Sequence, residues 1–184
     1  MAAADQIVQI ATTYSTENIT EIQVNAGWTD KQYQADMVSI GWEPGDEWCA
    51  ASVKLTWKKG YADNPAVWAH ALRLLSLNSQ QIAVNFHADP VWPTSTHIPK
   101  LGAIAVWQEG DSLTQGHCGI VVAVNGNQFT TVEGNTSSPS QPSIRNGWTV
   151  AAHTHTLGLP HITNGLNFDR FVYAIESYDP LVVE

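Results

Sequence analysis

The stretch GHCGIVVAVNGNQFTTVEGN, residues 116–135, reads as two strands folded about a tight turn. Asn125-Gly126-Asn127 lies between two β-branched, apolar runs, and Asn-Gly supplies the positive φ angles that a short hairpin turn needs. The expected strands are 117–124 and 128–134. Side chains alternate along a strand, so His117, Gly119 and Val121 share one face while Cys118, Ile120 and Val122 share the other. On the returning strand Glu133 and Asn135 also share a face, at the open end of the hairpin beside His117. Gly119 leaves space next to the imidazole. Cys118 points away from His117 and reads as a core residue.

Working outward, three further strands are expected, at 103–107 (AIAVW), 148–152 and 168–175 (FDRFVYAI). The first part of the chain has helical periodicity instead. Ile7, Val8, Ile10 and Ala11 recur at helical spacing over Asp5–Tyr14, with Asp5 as the expected N-cap, and a short helix is expected near Lys31–Ser39. In EWCAASVKLTWKKG, 47–60, Ala50, Val53 and Trp57 fall on one helical face. Lys58, Lys59 and Gly60 close that helix, so Cys49 lies in its first turn. Asn64-Pro65 opens another helix, expected to run to about Leu77. Residues 78–99, with Pro90, Pro93 and Pro99, are expected to be irregular, and 137–143 (SSPSQPS) to be a loop. Helices followed by an antiparallel sheet make an α+β fold. The expected organisation is a single domain over 1–184, with 1–41 a helical bracing segment and 42–175 the core.

Composition narrows the functional classes. With 184 residues, 43% of them hydrophobic, the chain is long enough to bury a sizeable core. Eight Lys+Arg against 17 Asp+Glu give a net charge of −9, which argues against nucleic acid or an anionic membrane surface as partner. No run of eighteen apolar residues exists, so a membrane span is excluded. The start, MAAADQIVQIATTY, has no basic n-region or continuous apolar h-region and does not read as a secretory leader. Two cysteines are too few for a stapled scaffold, and a Cys49–Cys118 bridge is not expected. No cofactor is implied and no metal is expected: HTH at 153–155 and HCG at 117–119 lack the paired short spacings of zinc modules, and Asp46-Glu47 lacks the alternating acids of a calcium loop. Of the eight Trp, Trp57 and Trp68 read as helix core, while Trp48 and Trp148 are candidate apolar walls of a substrate groove.

Cys49 at a helix start has two readings. Unpaired backbone N–H groups and the helix dipole favour its thiolate, whereas Asp46 and Glu47 oppose a further anion and a free cysteine is commonly inert core. A nucleophile also needs a base. Of seven histidines, six have no partner legible in the sequence. His117 has one, in the Glu133–Asn135 end of the facing strand, which suits a third group orienting the imidazole.

These segments, EWCAASVKLTWKKG, then PKLGAIAVWQ (99–108), GHCGIVVAV and TVEGNTS, resemble in order and spacing the CHAP amidase/endopeptidase domains of the NlpC/P60-like, papain-like group. The likeness spans about 42–175. It implies a papain-like α+β fold and a cysteine amidohydrolase of bacterial peptidoglycan, with Cys49 as nucleophile, His117 as general base, Glu133 orienting His117 and Asn135 as auxiliary polar residue. Three departures stand out. Glu47-Trp48 replaces a Gly-Gln before the Cys, Ala103 stands where an Asp is common, and 138–167 is long enough to hold a specificity loop. The implied partner is peptidoglycan, with an immunity or delivery protein as a further expectation. The protein would reach the wall after lysis, phage delivery or secretion-system injection. The rival readings are a non-catalytic phage or secretion-system module, and a cysteine protease or acyltransferase acting elsewhere.

Overall fold

The computed structural model describes residues 1–112, 114–137 and 147–177. Among these, five helices precede a six-stranded antiparallel sheet, an α+β layout. The helices are α1 (Ala3–Thr16), α2 (Lys31–Val38), α3 (Cys49–Gly60), α4 (Pro65–Leu74) and α5 (Ser79–Ala88). The strands are β1 (Thr94–Ser95), β2 (Ile104–Gln108), β3 (Gly116–Asn125), β4 (Gln128–Thr136), β5 (Thr149–Thr156) and β6 (Asn167–Val172), in the sheet order β1-β6-β2-β3-β4-β5. No helix among the described residues is long and apolar enough to cross a membrane.

The hairpin of β3 and β4 turns at Gly126, whose φ of 61° is the left-handed value that the Asn-Gly turn demands. Strand alternation divides the core in two. One face of the sheet, through Ile104, Val106, Cys118, Ile120 and Val132, packs on the helices. The other, through Ala105, Trp107, Val121 and Phe129, forms a smaller cluster with Phe171 and Tyr173.

Several local expectations are corrected. The N-terminus of α1 is not capped by Asp5: the backbone N–H groups of Ala3 and Ala4 donate to the Glu176 carboxylate, which closes the chain's two ends on each other. The fourth helix stops at Leu74 rather than Leu77. Residues 79–88 are helical, not irregular, because Asn78 caps the Gln81 N–H and Ile82, Ala83 and Phe86 bury one face. The fifth strand extends to Thr156 through two histidines, four residues past its expected end. The loop expected at 137–143 lies, beyond Ser137, outside the described residues.

Candidate active site

Cys49 is the first residue of α3. Trp48 precedes it as N-cap without any side-chain hydrogen bond to the helix, and Asp46 accepts from the Glu43 N–H instead. Cys49 thus sits among the N–H groups of the first helical turn, and the backbone at Ala50 helps to lower its ionisation. Gly134 brings α3 down onto β4: a Cβ there would stand 2.5 Å from Ser52 Cβ and 2.7 Å from the Trp48 ring.

His117, the second residue of β3, is 5% exposed and lines the same cavity as Cys49, close enough for each to shift the other's ionisation. Its Nε2 bonds Glu133 Oε2 at 2.9 Å. That leaves Nδ1 for the sulfur. Glu133 fills the space above Gly119, where a Cβ would lie 2.5 Å from Glu133 Cγ. The gap beside the imidazole therefore admits the carboxylate itself. Glu133 is wholly buried, a location an ionised carboxylate tolerates only with several donors.

The electrostatics agree with the geometry. The adjoining Cys118 thiol and the His117 imidazole hold the Cys49 thiol well below its ordinary range, against the opposing effect of burial. Burial, with Cys49 beside it, pushes Cys118 well above. Burial disfavours the charged form of His117, yet the bonds to Cys49 and Glu133 raise it to about 10. Glu133 is likewise opposed by burial, but His161, His117 and His155 keep it well below the usual carboxylate range. These directions favour thiolate, imidazolium and carboxylate in a row over their neutral forms.

These groups open on a cavity of about 560 Å³ lined by Cys49, His117, Asn135, Glu47, Glu109 and, from the segment after β5, Thr163, Asn164 and Leu166. Asn135 reaches the wall through a left-handed backbone (φ 54°) at the register shift between Glu133 and Thr136, and its buried Oδ1 has no hydrogen-bond partner among the described residues. The two tryptophans expected to wall a substrate groove do not line it. Trp48 is fully buried, edge-on to Trp28 with centroids 5.0 Å apart, because the N-cap position turns it into the helical core. Trp148 is half-buried ahead of β5 and is not itself a lining residue, although Gly147 before it is. Trp57 is core, and Trp68 packs partly buried against it.

Sequence reading missed the other side of Glu133. His155 Nε2 lies 2.8 Å from Oε1 and His161 Nε2 lies 3.0 Å from Oε2, while Thr131 and Thr136 donate their hydroxyls to the same carboxylate. Period-two spacing in HTHT put His153 and His155 on one face of a strand, which was the available signal. His161 lies in a non-strand segment and gave none. His117, Glu133 and His161 form the one group of three potential metal ligands among the described residues, with ligand atoms within 4.8 Å. However, the Thr163 N–H donates to His161 Nδ1 at 3.3 Å, which places the proton on Nε2 and makes that nitrogen a donor to Glu133 rather than a ligand.

The family model of the CHAP domain matches residues 22–135, which include Cys49, His117, Glu133 and Asn135. Among solved structures, that of Ly7917 is similar at 12% identity and a TM-score of 0.49, covering 92% of this chain. The chain spans 61% of the length of that protein. No curated protein matches the chain.

Proposed function

Because the chain belongs to the CHAP domain family, whose members are amidases and peptidases of the peptidoglycan-hydrolase type, we propose that it is a cysteine amidohydrolase cleaving an amide bond of bacterial peptidoglycan. The observation that carries the reading is the row of groups in one cavity wall: Cys49 at a helix N-terminus, His117 lining the same cavity, and a buried Glu133 bonded to His117 Nε2 at 2.9 Å.

In this reading His117 Nδ1 takes the thiol proton and the thiolate attacks the scissile carbonyl, forming the C–S bond as the carbonyl π pair moves to oxygen. The Cys49 backbone N–H, at the uncapped start of α3, faces the developing oxyanion. Collapse of the tetrahedral species expels the amine, which His117 protonates. Water, deprotonated by the same imidazole, then attacks the thioester and returns the free thiol and a carboxylic acid. Glu133 fixes the ring with its Nε2–H inward and offsets the imidazolium charge. The Asn135 carboxamide, whose Oδ1 has no partner among the described residues, is the polar group closest in kind to a substrate-holding role.

The test is muropeptide release from isolated peptidoglycan of both common cross-linking chemotypes, by wild type and Cys49→Ala, with products identified by mass. Defined fragments from wild type alone support the reading, and their masses name the bond. Silence of wild type on every wall, with the fold intact, refutes it in favour of another acyl substrate or a binding role.

A further inference from the structure

Glu133 is held by more donors than the orientation of one imidazole requires. Besides His117, it accepts from His155 Nε2 at 2.8 Å and Thr131 Oγ1 at 2.5 Å on Oε1, and from His161 Nε2 at 3.0 Å and Thr136 Oγ1 at 3.3 Å on Oε2. The two extra imidazoles are as buried as the carboxylate, at 3% and 2% exposure. Both are fixed by packing: their rings lie 4.6 Å apart, and the Trp107 ring lies 4.8 Å from His155 and 4.6 Å from His161. The tautomer of His161 is fixed as well, since the Thr163 N–H caps Nδ1. Among the described residues His155 Nδ1 has no partner, and its polar contacts are made through Nε2, to Thr131 at 2.9 Å and to Glu133.

We propose, on the cysteine-hydrolase reading given above, that His155 and His161 are positioning residues, each donating Nε2–H to Glu133 so that this buried carboxylate stays aimed at His117. Neither touches the cavity. With His117 as its only imidazole partner, Glu133 would have one strong donor in a site closed to solvent, and its side chain would be free to swing away from the ring or take up a proton. Three imidazoles converging from β3, β5 and the segment after β5 leave it one geometry. His161 adds a mechanical link, because the same short segment supplies Thr163, Asn164 and Leu166 to the cavity wall. The anchor of that wall is the carboxylate that orients the base.

The other titratable groups around the carboxylate are His153, which bonds Thr136 at 3.2 Å, and the Cys49 and Cys118 thiols beyond His117. Weakening Glu133 destabilises the His117 imidazolium and with it the Cys49 thiolate. The thiolate then forms at higher pH.

The test reads that thiolate directly: the rate of Cys49 alkylation by iodoacetamide against pH, measured on the Cys49-bearing peptide, alongside muropeptide release. The variants are His155→Leu, His161→Leu and the donor-retaining His155→Gln and His161→Gln, whose amide nitrogen reaches about as far as imidazole Nε2. The leucine variants are expected to move the alkylation midpoint up by about one pH unit, roughly tenfold slower reaction on the acid side. They should lower kcat about tenfold or more with little change in KM, and glutamine should restore most of both. Folded leucine variants with the wild-type midpoint overturn the proposal. So does stoichiometric zinc in the purified protein that is lost in His161→Leu, which would make these residues a metal centre. Should the leucine variants fail to fold, imidazole ¹⁵N shifts of wild type decide: protons on Nε2 of both histidines support the assignment, and a proton on Nδ1 of His161 overturns it. A shifted alkylation profile without hydrolysis of any peptidoglycan leaves the positioning role standing and sinks the peptidoglycan reading.

Discussion

Gly119 is the position where one added methyl group tests the whole arrangement. A Cβ there would stand 2.5 Å from Glu133 Cγ, 3.0 Å from the Val132 carbonyl oxygen and 3.2 Å from Thr131 Cβ, where ordinary contact begins at 3.4 Å. The carbonyl belongs to the β3–β4 ladder and has little freedom, so in Gly119→Ala the glutamate must retreat by roughly 1 Å. The 2.9 Å bond to His117 then stretches out of hydrogen-bonding range. Overpacking of this kind costs about 1–3 kcal/mol, offset by up to ~1 kcal/mol from the stiffer unfolded chain. Net, a drop in Tm of a few degrees is expected for a chain of this size, on the order of 2–4 °C per kcal/mol. Activity should fall further than stability, by about 100-fold in kcat, because a carboxylate displaced by an ångström no longer holds the base. Rates of muropeptide release and thermal unfolding by circular dichroism measure the two effects on one preparation. A Gly119→Ala protein that unfolds at the wild-type temperature and releases muropeptides within about threefold of the wild-type rate would refute the claim that Glu133 placement controls His117.

The thiolate–imidazolium pair gives a pH window with a definite sign. It forms as pH rises through the depressed Cys49 ionisation, well below the roughly 8.5 of a free cysteine, and is lost as pH rises through about 10, where His117 deprotonates. The plateau of kcat/KM should therefore extend across neutral pH with an alkaline limb near 10, and an acid limb at an ordinary cysteine pKa would contradict the pairing. Glu21 is buried with neither carboxylate oxygen hydrogen-bonded among the described residues, and burial raises it to about 7. A carboxyl that binds its proton more tightly when folded stabilises the fold below its unfolded pKa, and that contribution disappears as pH rises through about 7. Glu21→Gln should match wild type in acid and exceed it in chemical-denaturation stability above neutral pH; an unchanged pH slope would assign the effect elsewhere. Asn135 holds a φ of 54°, so Asn135→Ala should cost about 1 kcal/mol that Asn135→Gly does not. Equal loss of turnover in both would assign a role to the carboxamide, whereas full turnover in the glycine variant would leave only its backbone.

What the sequence disclosed follows from the range of the interactions involved. The hairpin was legible because its turn chemistry and its period-two pattern are local, and α3 because Ala50, Val53 and Trp57 repeat within three turns. His117 and Glu133 could be brought together because one strand carries the base and the next carries its carboxylate, whereas Cys49 was joined to them by the resemblance to the family. The helix at 79–88 was hidden by flanking prolines, which mark a loop only where no capped apolar face intervenes. Trp48 does not line the cavity because the residue before the nucleophile turns into the helical core against Trp28, which adjacency in sequence does not reveal. His155 and His161 were invisible for a third reason. They reach Glu133 only through the β4–β5 pairing and the return of the chain after it, contacts more than twenty residues apart that no short pattern encodes.

The split core explains how one fold can tune nucleophile and base separately. Cys49 and Cys118 belong to the helical side of the sheet, where α3 packs through its buried face and Gly134 lets it touch β4. His117, Glu133 and the two further histidines lie on the opposite side against Trp107, which belongs to the smaller cluster with Phe129 and Phe171. The halves meet at the end of β3, where an odd-numbered residue faces one core and its even-numbered neighbour the other. Changes in the helical core displace the sulfur relative to a base that stays fixed, while changes around Trp107 displace the base relative to a fixed sulfur. Either breaks the relay, but only the second leaves the helix-terminus contribution to thiolate stability in place. A Trp107→Leu protein should thus retain part of its depressed thiol ionisation while losing turnover, a separation that a single merged core would not permit.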